Sequence, residues 1–143
     1  IMEKHADGDM FPPDREQYES FLNNSLGCTQ YFRLYDKDRL VCVAVADQML
    51  DGLAAIYTFY DPNLDKRSLG TFAVLLQISH AKKLGLPYVY LGYWIDGCRK
   101  MSYKTRFKPL EMLSNGRWHG DGDSSTSGLS TIPVVNVSRD ARD

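Results

Sequence analysis

The spacing of apolar positions along this chain switches between the period of a strand and that of a helix, and each switch delimits an element. Phe32 and Leu34 alternate with Arg33 and Tyr35, the pattern of a half-exposed strand, and the polar run Asp36-Lys-Asp-Arg39 turns the chain. Leu40-Val-Cys-Val-Ala-Val-Ala46 is continuous and rich in β-branched residues, which predicts a central strand. Asp51-Gly52 turns the chain again and Leu53 to Tyr60 returns as a third strand. Connections this short impose an antiparallel meander. Asp61-Pro62 stops the third strand, and Asn63 to Arg67 read as a polar loop. Ser68 then reads as the N-cap of a helix running to Leu84, with Gly85 as its C′ residue. Leu69, Phe72, Ala73 and Leu76 share the helix's apolar face, Leu75, Ile78 and Ala81 widen it, and Lys82 and Lys83 complement the dipole at its end.

Before the meander, Asp14-Arg-Glu-Gln17 has the form of a capping box, and Tyr18, Phe21 and Leu22 give a short amphipathic helix its stripe. His5 to Pro13 reads as a loop. Beyond the long helix, Tyr88 to Ile95 is apolar or aromatic on both faces, which predicts an inner strand broken at Gly92 and near Gly97. Arg99, Lys100, Lys104, Arg106 and Lys108 follow with no acid until Glu111. Read as a helix ending before Pro109, this run sets Lys100 and Lys104 one turn apart, with Tyr103 and Phe107 on another face. Gly120 to Gly128 is a low-complexity polar linker, Leu129 to Val137 is a candidate single strand, and the rest of the tail reads as disordered. The expectation is one domain at 1–118 and a tail at 119–143, in an α+β class with a mainly antiparallel sheet flanked by helices.

Composition narrows the chemistry. A chain of 143 residues is one domain by size, and a net charge of −1 decides nothing about its partners. The charge is uneven: residues 1–27 carry six acids and two basic residues, whereas 99–108 is purely basic. A local basic patch suits a nucleic-acid terminus or an acidic peptide, and it equally describes a solvated helix face. Cys28, Cys42 and Cys98 are odd in number and far apart, so neither a zinc ribbon nor a disulfide framework is expected. Cys42 reads as a buried small hydrophobe, and reduced thiols place the chain in the cytoplasm. No apolar run approaches membrane-spanning length, and no secretory signal precedes the acidic start. A start at Ile1 reads as a piece of a longer protein. Calcium loops fail at both acidic stretches: Phe11 takes a ligand position after Asp7-Gly-Asp9, and Thr126 takes the position that needs glycine. No metal site is expected. Histidines at 5, 80 and 119 are too scattered for a Ser-His or Cys-His device, and His80 reads as a packed or surface helical residue. Chemistry without a covalent intermediate is left.

Leu91-Gly-Tyr-Trp-Ile95, followed by Lys100-Met-x-Tyr-Lys-x-x-Phe-x-Pro-x-Glu-x-Leu113, resembles the signature of the aminoacyl-tRNA–protein transferases. Trp94 after Tyr93, and the run Arg106-Phe-Lys-Pro-Leu-Glu111, look most like the bacterial aspartate/glutamate leucyltransferases, while the arginyl-transferring relatives share most of the same positions. The resemblance covers residues 3–118 and lacks the family's cysteine-containing amino-terminal region. It implies a GNAT-like acyltransferase fold, whose strand–strand–strand–helix–strand order agrees with the pattern above. It also implies transfer of leucine from leucyl-tRNA, as co-substrate and without another cofactor, to proteins with amino-terminal Asp or Glu, marking them for degradation. In the family, a stretch like His5-Ala-Asp-Gly-Asp-Met10 lies at the junction of the two regions; as sequence alone it is a turn.

Such a transfer starts from an activated ester and an α-amine of pKa about 7.7–8.0, so the protein must orient the pair, stabilise an oxyanion and accept a proton. The backbone of Leu69 and Gly70, at a helix start beside the sheet, is the candidate oxyanion site. Asp61 is the candidate to orient or deprotonate the amine, and it equally reads as a strand-end turn residue. Tyr60 and Tyr93 are candidates to line the pocket. Lys100 and Lys104 are candidates for the acidic acceptor, Lys66, Arg67, Arg99, Arg106 and Lys108 for tRNA phosphates, and Trp94 and Tyr103 for base stacking or simple core packing. Three alternatives stay open: arginyl transfer, a coenzyme A-dependent N-acetyltransferase, and a non-catalytic tRNA- or peptide-binding remnant. Against the second, Arg67-Ser-Leu-Gly70 is followed by Thr71-Phe72 where a pyrophosphate loop ends in a small residue.

Overall fold

In the computed structural model, residues 16, 19–20, 28–95, 97–120 and 132–136 are described. The loop at His5–Pro13, its Asp7–Asp9 turn and the linker 121–131 lie outside them. Of the helix expected at 14–22, Glu16, Glu19 and Ser20 are described, and they are helical.

The meander forms as its alternation requires. β1 (Thr29–Asp36), β2 (Arg39–Gln48) and β3 (Gly52–Tyr60) pair antiparallel, with Lys37 in a left-handed conformation (φ 54°) at the first turn. Phe32 and Leu34 of β1 and Cys42 and Ala44 of β2 point to the same side, where the helix will lie. The ladder slips twice. Leu34 pairs with Cys42 but Tyr35 with Leu40, so Val41 is an extra residue; Val45 pairs with Tyr57 but Ala46 with Ala55, so Ile56 is another.

The polar loop after Asp61 is a 3₁₀ helix, Pro62–Arg67, with proline in its first turn where a missing N–H costs nothing. α1 (Leu69–Leu84) follows and ends at Gly85 in the left-handed region (φ 70°), whose N–H reaches the carbonyls of Ala81 and Lys82. Its start falls where expected, but Ser68 caps nothing with its side chain: it is left-handed (φ 52°) because it must join two helices that point differently. The buried stripe also differs from the expected face. Leu69, Ala73, Val74, Gln77 and Ala81 are buried, while Phe72 and Leu75 are exposed. Small Ala73 and Ala81 let the helix lie close on the sheet, and that rotation turns the bulkier residues outward. His80 packs edge-on against Phe32, with ring centroids 5.3 Å apart.

β4 (Tyr88–Tyr90) pairs parallel with β3, Gly52 opposite Tyr88 and Ala54 opposite Tyr90. It is an inner strand, as its two apolar faces predict, but only three residues long. A second 3₁₀ helix (Arg99–Arg106) replaces the α-helical turn expected for the basic run. β5 (Leu110–Ser114) and β6 (Arg117–Gly120) form a hairpin whose Asn115-Gly116 turn has positive φ at both residues, as a type I′ turn demands. β7 (Ile132–Asn136) comes from the presumed tail and inserts antiparallel between β4 and β5, giving the order β1-β2-β3-β4-β7-β5-β6. The sheet therefore continues past the boundary drawn at 118: a buried Val135 supplies the side chain that β4 and β5 need between them.

Two apolar clusters lie between sheet and helix. One joins Leu53, Val74, Ala81, Val89, Leu91, Phe107, Leu110 and Val135; the other joins Leu34, Val41, Cys42, Ala44, Leu69 and Ala73.

Candidate active site

The site follows from a mismatch of strand lengths. β3 has nine residues and β4 three, so their pairing stops at Ala54 and Tyr90. Beyond that point β3 runs on to Tyr60 paired with β2, while the chain after Tyr90 leaves the ladder and takes a left-handed φ of 75° at Gly92. A cleft opens between Ala55–Tyr60 on one wall and Leu91–Trp94 on the other. The extra residue Ile56 stands on the first wall, 42% exposed, where a bulge re-aims the strand.

One end of the cleft is the start of α1. A Cβ added to Gly70 would lie 3.9 Å from the Tyr60 ring, so the helix's first turn sits against the end of β3. The first intrahelical bond runs from Phe72 N–H to Ser68 C=O (3.0 Å), so the amides of Leu69, Gly70 and Thr71 have no partner within the helix. Such amides favour an anion or a developing oxyanion.

The second 3₁₀ helix closes the other side. Lys104 Nζ donates to the Tyr93 carbonyl at 2.7 Å. The ammonium lies 3.8 Å from where a Gly92 Cβ would be, and the Ala55 carbonyl is equally close to that point, so Lys104 spans the gap between the walls. Burial holds its pKa below the ordinary lysine value, opposed by Cys98 nearby. Tyr103 is half-buried beside it, edge-on to Phe107 with centroids 6.4 Å apart; desolvation first, then the neighbouring Tyr60, push its phenol up.

The structure thus brings together Tyr60, Leu69, Gly70, Tyr93, Tyr103 and Lys104. Tyr93 contributes its backbone, its side chain being 66% exposed. Trp94 is half-buried, with its indole N–H buried and without a hydrogen-bond partner. Lys100 is the second residue of the 3₁₀ helix, and its side chain lies outside what is described.

Asp61 takes the turn reading. Its Oδ1 accepts from the Asn63 N–H at 2.9 Å and from Asn63 Nδ2 at 3.1 Å, and its Oδ2 is ion-paired with Arg39. The Asn63 amide foremost, with Arg39 behind it, holds the carboxyl below its usual range, the opposite of what a proton acceptor near pH 7 needs. Arg67 pairs with Asp36 at 2.6 Å, beside exposed Lys66, next to the start of α1. Arg99, Arg106 and Lys108 are exposed on and after the second 3₁₀ helix. Ile56 was not signalled by the sequence, since a register slip depends on the partner strand; Gly92 was signalled only as a break.

The profile of the family described as "Arginine-tRNA-protein transferase, C terminus" matches residues 1–114. Curated relatives named aspartate/glutamate leucyltransferase are half identical. That of Alcanivorax borkumensis is 48% identical over 128 residues, covering 90% of this chain and 53% of the relative. That of Stutzerimonas stutzeri is 52% identical over 118 residues, covering 82% and 50%. The chain spans about half the length of the curated relatives it matches. Among solved structures, the ribosomal-protein-S18-alanine N-acetyltransferase of Escherichia coli superposes with TM-score 0.59 at 16% identity, covering 94% of this chain and 84% of that one. A GNAT-family acetyltransferase of Staphylococcus aureus Mu50 gives 0.58 at 19%, covering 87% and 80%. The last two establish the fold, the expected GNAT-like α+β arrangement; with the family profile and the half-identical relatives, this chain belongs to the arginine-tRNA-protein transferase C-terminal family.

Proposed function

We propose that the chain transfers leucine from leucyl-tRNA to the amino-terminal Asp or Glu of acceptor proteins, marking them for degradation in the cytoplasm. The observation that carries this is 52% identity over 118 residues to a protein of that name. The cleft supports it. Its helix end offers amides at Leu69 and Gly70 to the oxyanion, and its far side offers the Lys104 ammonium to an acidic side chain, with Lys100 as second cation. Tyr60 and Tyr103 wall the space between. Lys66, Arg67, Arg99, Arg106 and Lys108 flank the two ends and take the phosphates of the acceptor stem. An α-amine of pKa about 7.7–8.0 has a useful neutral fraction near pH 7, so water serves as base and Asp61 only braces the wall through Arg39.

The family description itself favours a second reading, an arginyl donor. Charging tRNA separately with leucine and arginine, and offering a Glu-starting peptide with an acetyl-coenzyme A control, tests the assignment. Leucine transfer alone is expected. Arginine transfer alone would move the chain to the sister activity, and acetylation would overturn the donor class.

A further inference from the structure

The buried stripe of α1 contains one residue that does not belong in an apolar interface. At 100° per residue, Gln77 is the middle of the stripe formed by Leu69, Ala73, Val74 and Ala81, and it is 0% exposed. Its neighbours on the stripe belong to different clusters, Leu69 and Ala73 to one and Val74 and Ala81 to the other, so its amide stands at the seam between them. Neither Oε1 nor Nε2 has a hydrogen-bond partner. Burying an amide unpaired is costly, and a leucine here would complete the apolar stripe at no such cost. The amide calls for a partner.

The strand beneath carries the register slip at Ile56. Gly70 against the Tyr60 ring fixes the level of α1 over β3, and the two run antiparallel because α1 returns the chain to a strand parallel with β3. From there Gln77 lies ~10 Å along the helix, and Tyr57 and Ile56 lie ~10 Å back along the strand. Ile56 has no register partner on β2, and the pairing with β4 has already ended at Ala54. An amide with two donors and an acceptor thus stands level with the bulge.

We propose that Gln77 is a positioning residue: through one buried water its amide holds the bulged backbone at Ile56, fixing the edge of β3 that lines the cleft. A buried water typically makes about three hydrogen bonds, which the unpartnered Gln77 amide and the bulge backbone can supply. The catalytic half of this inference rests on the acyl-transfer reading.

Q77L and Q77M remove the amide while filling its space. The measurements are thermal melting, amide hydrogen exchange resolved along β3, and leucine transfer kinetics onto a Glu-starting peptide. Exchange at Ile56 and Tyr57 is expected to accelerate roughly ten-fold while Leu53 and Ala54 hold, with Tm equal or higher. Transfer kcat should fall roughly ten-fold with the acceptor KM within about two-fold. Unchanged exchange at the bulge with a raised Tm would overturn the proposal, leaving a burdensome amide without a task. Faster exchange along the whole sheet with a lowered Tm would reduce Gln77 to packing, and faster bulge exchange with unchanged kcat would remove the positioning role. Wild-type protein silent with every donor would overturn the transfer reading, and the exchange result would still decide whether Gln77 holds the bulge.

Discussion

Lys104 carries a charge into a cleft that disfavours charge, and its hydrogen bond to the Tyr93 carbonyl satisfies one of three donors. Desolvation holds its pKa below the ordinary 10.5. Between those two values the unfolded chain binds the proton more readily, so this group makes stability rise with pH across that window. Acceptor recognition runs the other way. A carboxylate needs the ammonium, so the KM for a Glu-starting peptide should climb as pH passes the lowered pKa, whereas K104R should stay flat because a guanidinium keeps its proton. A profile that rises equally in K104R would assign the effect to another group. Asp61 slopes the same way in its own window: its lowered pKa adds stability above the ordinary 3.8, lost as pH falls through the folded value. In kinetic terms D61N should leave the shape of the kcat–pH profile unchanged, and disappearance of its acid limb would make Asp61 the base after all. The basic run was legible as a cluster of charges. Which lysine enters the cleft was not, because Lys104 meets a carbonyl eleven residues back across a break in the chain.

At the scale of elements, α1 shows what local sequence settles. Gly85 and the lysines before it mark the end by their own chemistry, and Ser68 marks the start by type. Its conformation was illegible because the preceding polar residues form a 3₁₀ helix, and a serine between two helices must absorb the change of direction. A non-glycine residue held at φ 52° without a side-chain bond stores strain, so S68G should raise stability by about 1 kcal/mol in chemical denaturation. A loss of that size would show that Ser68 caps the helix. The helix face was misread for a related reason: hydrophobicity gave equal weight to Phe72 and Ala73, and only the sheet's need for close approach ranks the smaller residue inside. The β3–β4 pair carries a second prediction. A Cβ on Gly52 would sit 2.6 Å from the Tyr88 carbonyl and 3.0 Å from the Tyr90 ring. G52A must therefore displace backbone, at a cost on the order of 3 kcal/mol, and should lower Tm sharply; a neutral effect would mean the two strands are not held at this register.

Across the whole molecule, the meander, the helix and the inner strand were readable because each is a run of residues with one period, and the family signature named the fold they build. β7 was readable only as a lone strand. Its place between β4 and β5 depends on pairing with residues far away in sequence, and the low-complexity linker before it masks the connection. The cleft belongs to the same category: Ile56, Gly92 and Lys104 come from three segments, and only the difference in length between β3 and β4 opens the space they share. Among the described residues no helix is long and apolar enough to cross a membrane.

The central claim is that this cleft moves leucine from tRNA to an acidic amino terminus. Its most direct test is the initial rate of leucine transfer from leucyl-tRNA to paired peptides that begin with Glu or Gln and are otherwise identical. The Glu peptide should be labelled at its α-amine, and the Gln peptide at least roughly ten-fold more slowly, because the Lys104 cation is then left unpaired. Equal labelling of the two peptides, or labelling of neither, would contradict the account.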